Sequence, residues 1–218
     1  MRSEIKFGPA FATLFITLNP GDSLVAESGA MSSMSSNIDI ATRFNGGFFR
    51  ALMRKIFGGE SLFINSFSSS GEGEVVLTQP TPGEISEINL EGTSLFLQPG
   101  AFIACDSNVR LSLGWAGFAS WFGGEGLFRM KVSGHGRVWI GGYGAIFDKD
   151  ITSEYIVDTG HLIAYEPTLS LSVGLSAGLF SSFFGGEGFV TKVRGRGKLL
   201  MQTRNIDGLA AWTNHHLY

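Results

Sequence analysis

Phe57-Gly58-Gly59-Glu60-Ser61 returns as Phe122-Gly123-Gly124-Glu125-Gly126 and again as Phe184-Gly185-Gly186-Glu187-Gly188, at intervals of 65 and 62 residues. Similarity at a near-constant spacing means one folding unit used three times, and every other motif has to be read inside that unit. Two further landmarks keep step. Gly71-Glu72-Gly73, Gly134-His135-Gly136 and Gly195-Arg196-Gly197 each lead into an apolar run: Val75-Val76-Leu77, Val138-Trp139-Ile140 and Leu199-Leu200-Met201. Upstream, Pro20-Gly21, Pro99-Gly100 and Thr159-Gly160 each set a glycine turn ahead of an apolar strand.

Each unit therefore reads as turn, strand, strand, short interruption, Gly-Gly-Glu turn, strand, Gly-x-Gly, strand. β-branched and aromatic residues alternate through it as a half-buried sheet requires. Glycine pairs inside a strand pattern predict a bulge or sharp bend, the device that curls a sheet into a sandwich or barrel. The interruptions at 116–121 and 177–183 have room for a helical turn or two. In the first copy, Phe48, Leu52 and Ile56 fall at i, i+4, i+8 with Arg50, Arg54 and Lys55 elsewhere, which predicts an amphipathic helix ended by Gly58-Gly59. The expected fold is all-β: three tandem repeats at about 20–80, 98–148 and 158–206 in a single domain spanning 1–218, each a small sandwich or short double-stranded β-helix, in pseudo-threefold arrangement with short helical insertions.

Composition narrows the classes. Hydrophobic residues at 44% with 19 Phe exclude a disordered chain, and 31 Gly without a Gly-X-Y period exclude collagen. A net charge of -3 supplies no global attraction to nucleic acid or anionic lipid. One cysteine, Cys105, cannot make an intrachain disulfide framework or a Cys-rich zinc site, and fits a reducing, cytoplasmic setting. The first residues superficially suggest a signal peptide, but Glu4 interrupts the leader and the alternation of Thr13, Phe15 and Thr17 predicts a strand. The uncharged stretch 169–186 is too rich in Ser and Gly to span a membrane alone.

The run Pro20 to Met31 (PGDSLVAESGAM), the three Gly-Glu turns, and the strands from Phe128 to Gly136 and Phe189 to Gly197 resemble the family of a mitochondrial biogenesis protein named for altered inheritance of mitochondria, with bacterial and archaeal members. The resemblance covers nearly the whole chain. It implies three repeated β units similar to the tryptophan RNA-binding attenuation protein, often in oligomers, and implies little chemistry. The mitochondrial member's link to inner-membrane organisation suggests a membrane-associated context.

Among candidate sites, Glu60, Glu125 and Glu187 would be equivalent under a threefold arrangement and could gather around a cation. A carboxylate after Gly-Gly more simply accepts backbone hydrogen bonds in its own turn. His135 and His161 stand alone, and His215-His216 reads as a frayed polar tail, so no metal and no cofactor are assigned. Gly174-Leu175-Ser176-Ala177-Gly178 fits the nucleophile pattern G-x-S-x-G without its strand-to-helix context, and its counterpart in the second copy has no serine. No enzyme is expected.

Residues two apart on a strand share a face, so Lys192, Arg194, Arg196 and Lys198 predict one basic row. The aligned positions are Lys131, Ser133, His135 and Arg137, then Ser68, Ser70, Glu72 and Glu74, so the sign reverses from end to end. Glu72 and Glu74 would meet the basic row of another copy and set the order of assembly; the plain alternative is a solvated edge defended by charge. Trp115, Phe118 and Trp121 occupy the same slot as Phe180 and Phe183, giving a hydrophobic surface for core, subunit or peripheral membrane contact. The expected function is a non-enzymatic homo-oligomeric scaffold or binding protein, in the cytoplasm or associated with a membrane. The alternative is a module for RNA or a small ligand, although the row has no aromatic stacking platforms in register.

Overall fold

The computed structural model describes residues 1–43, 64–115, 128–175 and 189–216, and these are mostly β. They fall in two compact units, one of Met1–Thr93, Phe102–Arg110 and Ser133–Gly141, the other of Ser94–Ala101, Leu111–Val132 and Gly142–Tyr218.

The first unit holds β1 (Arg2–Lys6), β2 (Thr13–Leu18), β3 (Ser23–Glu27), β4 (Met31–Met34), β5 (Ile38–Arg43), β6 (Ile64–Ser69) and β7 (Gly73–Leu77). Next come β8 (Gly83–Leu97), β9 (Phe102–Asp106), β10 (Arg110–Trp115) and β11 (Phe128–Tyr143); all but β9 contribute residues to both units. One sheet of the first unit runs β1-β2-β7-β4, and a second path runs β9-β3-β6-β5. Along β2 the odd-even alternation turns Leu14, Ile16 and Leu18 inward, and along β3 it does the same for Leu24 and Ala26. These meet Phe67, Val75, Leu77, Ile103 and Trp139 in one core. Each of the larger aliphatic side chains there contributes roughly 1.5–3 kcal/mol by leaving water.

The second unit adds β12 (Ile146–Ile151), β13 (Glu154–Asp158), β14 (Leu162–Tyr165), β15 (Leu169–Leu175), β16 (Phe189–Gly195) and β17 (Gly197–Gln202). Its sheets run β12-β17-β14-β8 and β13-β16-β15. Their core contains Ile151, Val157, Leu162, Tyr165, Leu169, Val193, Leu199 and Met201.

Three of the pairings share one register. β4 meets β7 with Met31 opposite Leu77, Ser33 opposite Val76 and Met34 opposite Val75, skipping Ser32. β9 meets β11 with Phe102 opposite Ile140, Ala104 opposite Trp139 and Cys105 opposite Val138, skipping Ile103. β14 meets β17 with Leu162 opposite Met201, Ala164 opposite Leu200 and Tyr165 opposite Leu199, skipping Ile163. A bulge at the same step of three strands is a built feature. The remaining ladders follow suit: β2 on β7 matches β12 on β17, β5 on β6 matches β15 on β16, and β3 on β6 matches β13 on β16.

That register corrects the sequence alignment at two places: β6 and β16 set Lys192 and Arg194 level with Ser66 and Ser68, not with Ser68 and Ser70, and one glycine turn is reassigned. Gly100 and Gly160, ahead of β9 and β14, correspond to Gly29 ahead of β4, and not to Gly21 ahead of β3. Both places read as a glycine turn before an apolar strand, and only the pairing tells them apart. β2 and β12, which lie ahead of the spans expected to begin near 20 and 158, also pair alike.

Two of the three Gly-x-Gly stretches carry glycines in the left-handed region, with φ of +110° at Gly134, +137° at Gly136 and +124° at Gly195; Gly71 and Gly73 do not, and β11 runs unbroken through Gly134 and Gly136. The C-terminus departs from expectation. In place of a frayed tail there is a helix, α1 (Ile206–His216). Asn205 Oδ1 accepts from the Gly208 N–H at 2.5 Å at its start, and Asp207 adds an acid to the first turn. The predicted helix at 48–56 and the two short interruptions lie outside the described residues.

Candidate assembly surface

The charged residues singled out in the sequence sit where strands leave the Gly-x-Gly bends, and the backbone is tied alike at each. The N–H of Glu74 donates to Ser35 Oγ at 2.9 Å, that of Arg137 to Asp106 Oδ2 at 2.8 Å, and that of Lys198 to Glu166 Oε2 at 2.9 Å. The preceding glycines have no room for a side chain. A Cβ on Gly73 would stand 2.9 Å from Asn37 Oδ1, one on Gly136 would stand 2.9 Å from Asn108 Oδ1, and one on Gly197 would collide with Thr168 Oγ1.

Beyond that common tie the three places diverge. Arg137 is the most engaged: Nε donates to Asp106 Oδ2 at 3.2 Å, Nη2 to Oδ1 at 3.1 Å and Nη1 to Ser3 Oγ at 3.1 Å. Its guanidinium lies 5.0 Å from the centre of the Trp139 ring. Ser3 Oγ donates onward to Glu87 Oε2 at 2.9 Å, and Trp139 Nε1 donates to the same oxygen at 3.0 Å. A half-buried cation held by a bidentate carboxylate, a hydroxyl and a ring face is a clamp. It ties β1, β8, β9 and β11 together and offers little to a phosphate. No sequence signal announces it, because Ser3 and the Arg137 it meets are 134 residues apart.

Arg194 stands directly opposite Glu154 in the ladder, and its Nε donates to Glu154 Oε2 at 2.6 Å. Lys198 Nζ donates to Asp148 Oδ2 at 2.7 Å. That hydrogen bond, and then the attraction between the charges, holds the Asp148 carboxyl below its usual range and the Lys198 ammonium above its own. Both pairs are open to water, so they order side chains more than they stabilise the fold.

The basic row is divided, contrary to expectation. Lys192 and Arg194 belong to β16 in one sheet and Lys198 to β17 in another, with Arg196 exposed at the bend between them. The positive φ of Gly195 breaks the two-residue periodicity on which the row rested. Glu72 and Glu74 are exposed. Glu60, Glu125, Glu187, Phe118, Trp121, Phe180 and Phe183 lie outside the described residues, as does the Trp115 side chain.

Among the described residues no group of three His, Cys, Asp or Glu side chains gathers as a metal site. His161 Nδ1 lies 2.7 Å from the Gln202 carbonyl and Nε2 lies 2.9 Å from Asn205 Nδ2. Those partners set the ring as Nδ1 donor and Nε2 acceptor, a structural tie between β14, β17 and α1. Two exposed rings went unremarked in the sequence: Phe7 and Phe11, 68% and 69% exposed, project from the hairpin between β1 and β2.

Residues 4–204 match the family model described as mitochondrial biogenesis AIM24. An uncharacterized protein of Streptococcus pyogenes serotype M6 is 29% identical over 228 residues, spanning 100% of this chain and 91% of that protein. The X-ray crystal structure of another Streptococcus pyogenes protein is similar with a TM-score of 0.82 at 28% identity, covering 99% of each chain.

Proposed function

This chain belongs to the mitochondrial biogenesis AIM24 family, and from that premise we propose that it is a non-enzymatic scaffold: a threefold-duplicated β unit that associates with copies of itself. The observation that carries the reading is the common register of β4 on β7, β9 on β11 and β14 on β17, bulge included. A chain that repeats one unit carries on its end units the surfaces its inner units use on one another. The cations are consistent with this. Arg137, Arg194 and Lys198 are each engaged by an acid of their own unit, which suits structural ordering better than a phosphate-tracking groove. Exposed Glu72 and Glu74, with Arg196, orient the approach of a second copy, and charge reversal at the two glutamates is expected to change the salt dependence of association.

A cytoplasmic setting with peripheral membrane contact is a second layer of the same reading, favoured by Phe7 and Phe11 at an exposed hairpin tip that begins beside Lys6. Sedimentation velocity tests the main claim. The expected result is a mass several times 23.4 kDa that falls on dilution; a 23.4 kDa particle at every concentration would overturn it. Co-flotation with anionic vesicles, lost in Phe7→Ser/Phe11→Ser, tests the membrane contact separately.

A further inference from the structure

Two ladders join what the registers mark as successive copies of the unit. β3 pairs β9 with Leu24 opposite Asp106, Val25 opposite Cys105 and Ala26 opposite Ala104. β8 pairs β14 with Phe96 opposite Tyr165 and Leu97 opposite Ala164. Cys105 corresponds to Tyr165 and Ala104 to Ala164 in the shared register, and on the other side Val25 and Phe96, like Ala26 and Leu97, stand at the same distance ahead of Gly29 and Gly100. The joint is one antiparallel ladder made twice. Carrying that correspondence forward, the strand of the third copy that plays the part of β3 and β8 is β13, and the strand of the first copy that plays the part of β9 and β14 is β4.

Neither has such a partner among the described strands. β13 is the end of β13-β16-β15 and β4 is the end of β1-β2-β7-β4. Their surfaces show what a missing strand leaves behind. Leu24 and Leu95 are buried, whereas Tyr155 in their position is 38% exposed, and Ile156, in the position of half-buried Val25 and Phe96, is 55% exposed. On the opposite edge Cys105 and Tyr165 are buried, while Met34 in their position is 37% exposed. An exposed edge carrying apolar side chains is an unfinished surface.

We propose that β13 of one copy of this chain pairs antiparallel with β4 of another, repeating the internal joint in trans with Ile156 opposite Met34 and Val157 opposite Ser33. The inference rests on the homo-oligomer reading and names its interface. The occupant is a second copy because the two edges complete each other in the register the chain already uses twice, apolar Ile156 meeting apolar Met34 as Phe96 meets Tyr165. The contact is head to tail: each added copy leaves one β4 and one β13 open, so assembly ends only where the rotation between copies closes a ring.

Directly opposed residues of an antiparallel pair have Cα atoms about 4.5–5.5 Å apart, within reach of a disulfide. The experiment mixes Met34→Cys chains with Ile156→Cys chains under mild oxidation and reads the products on non-reducing gels. Both positions are exposed, and native Cys105 is buried, which keeps it out of the exchange. Near-complete conversion to mixed dimers is expected, falling at least about tenfold when Val157→Cys replaces Ile156→Cys, since adjacent strand residues face opposite ways. If wild-type chains sediment as oligomers and the mixture does not cross-link, this joint is wrong while self-association stands. If the wild-type chain is a monomer throughout, self-association itself fails. A disulfide formed within single chains of the double variant Met34→Cys/Ile156→Cys, with no change of mass, also overturns the proposal, because the edges then close on themselves.

Discussion

Cys105 shows how far a single position can be read. It lies on β9 between Val25 and Val138, fully buried, and burial, with the Asp106 charge beside it second, pushes the thiol up to about 12. Only the thiolate reacts. Labelling by a disulfide reagent at pH 8 is therefore expected to be at least about a thousandfold slower in the native protein than in denaturant; equal rates would place the strand elsewhere. Gly195 makes the complementary point about space. At φ +124° a side chain is strained, and a Cβ would come within 2.6 Å of the Thr168 carbonyl oxygen, a backbone atom that cannot swing away. Gly195→Ala is expected to cost about 2–4 kcal/mol in a urea unfolding titration, combining backbone strain with displacement of the turn before β15. A loss under about 0.5 kcal/mol would mean the bend tolerates an ordinary residue.

At the scale of elements, the strands and their bends were legible because alternation and Gly-x-Gly are local signals. The Leu14, Ile16, Leu18 face and the run Val138-Trp139-Ile140 could be placed by pattern alone. The partner of each strand could not. β3 and β4 both follow a glycine turn, at Gly21 and Gly29, and nothing within either segment says which one carries the bulged ladder to β7. The basic row failed for a related reason: its periodicity assumed one continuous strand, where Gly195 hands the chain from one sheet to another. The clamp around Arg137 was out of reach because Ser3, Glu87, Asp106 and Trp139 meet only through the topology. α1 opens on ordinary start signals, Asn205 and Asp207, which the polar His215-His216 end masks in the sequence. Asn205 both caps α1 and holds His161. Asn205→Ala is therefore expected to cost about 1–2 kcal/mol, with a matching loss of helical ellipticity, whereas Asn205→Asp should retain the cap.

For the whole molecule, what matters is the state of two edge strands, β4 and β13. A chain with two internal joints of one kind has one open strand at each end of the series. Tyr155 and Ile156 on one side and Met34 on the other are more exposed than their internal counterparts. In the proposed oligomer, charges would orient approach and apolar burial along the added ladder would supply most of the affinity. The most direct measurement is amide hydrogen exchange, followed over a wide range of protein concentration, at the outward-pointing amides of residues 31–34 and 154–157, those not bonded to β7 or β16. Unpaired edge amides exchange readily and laddered ones are protected. Protection at both edges is expected at high concentration, lost together on dilution, and abolished at both in Ile156→Lys. Fast exchange at every concentration, or protection that ignores dilution, would contradict the pairing of β4 with β13 between copies.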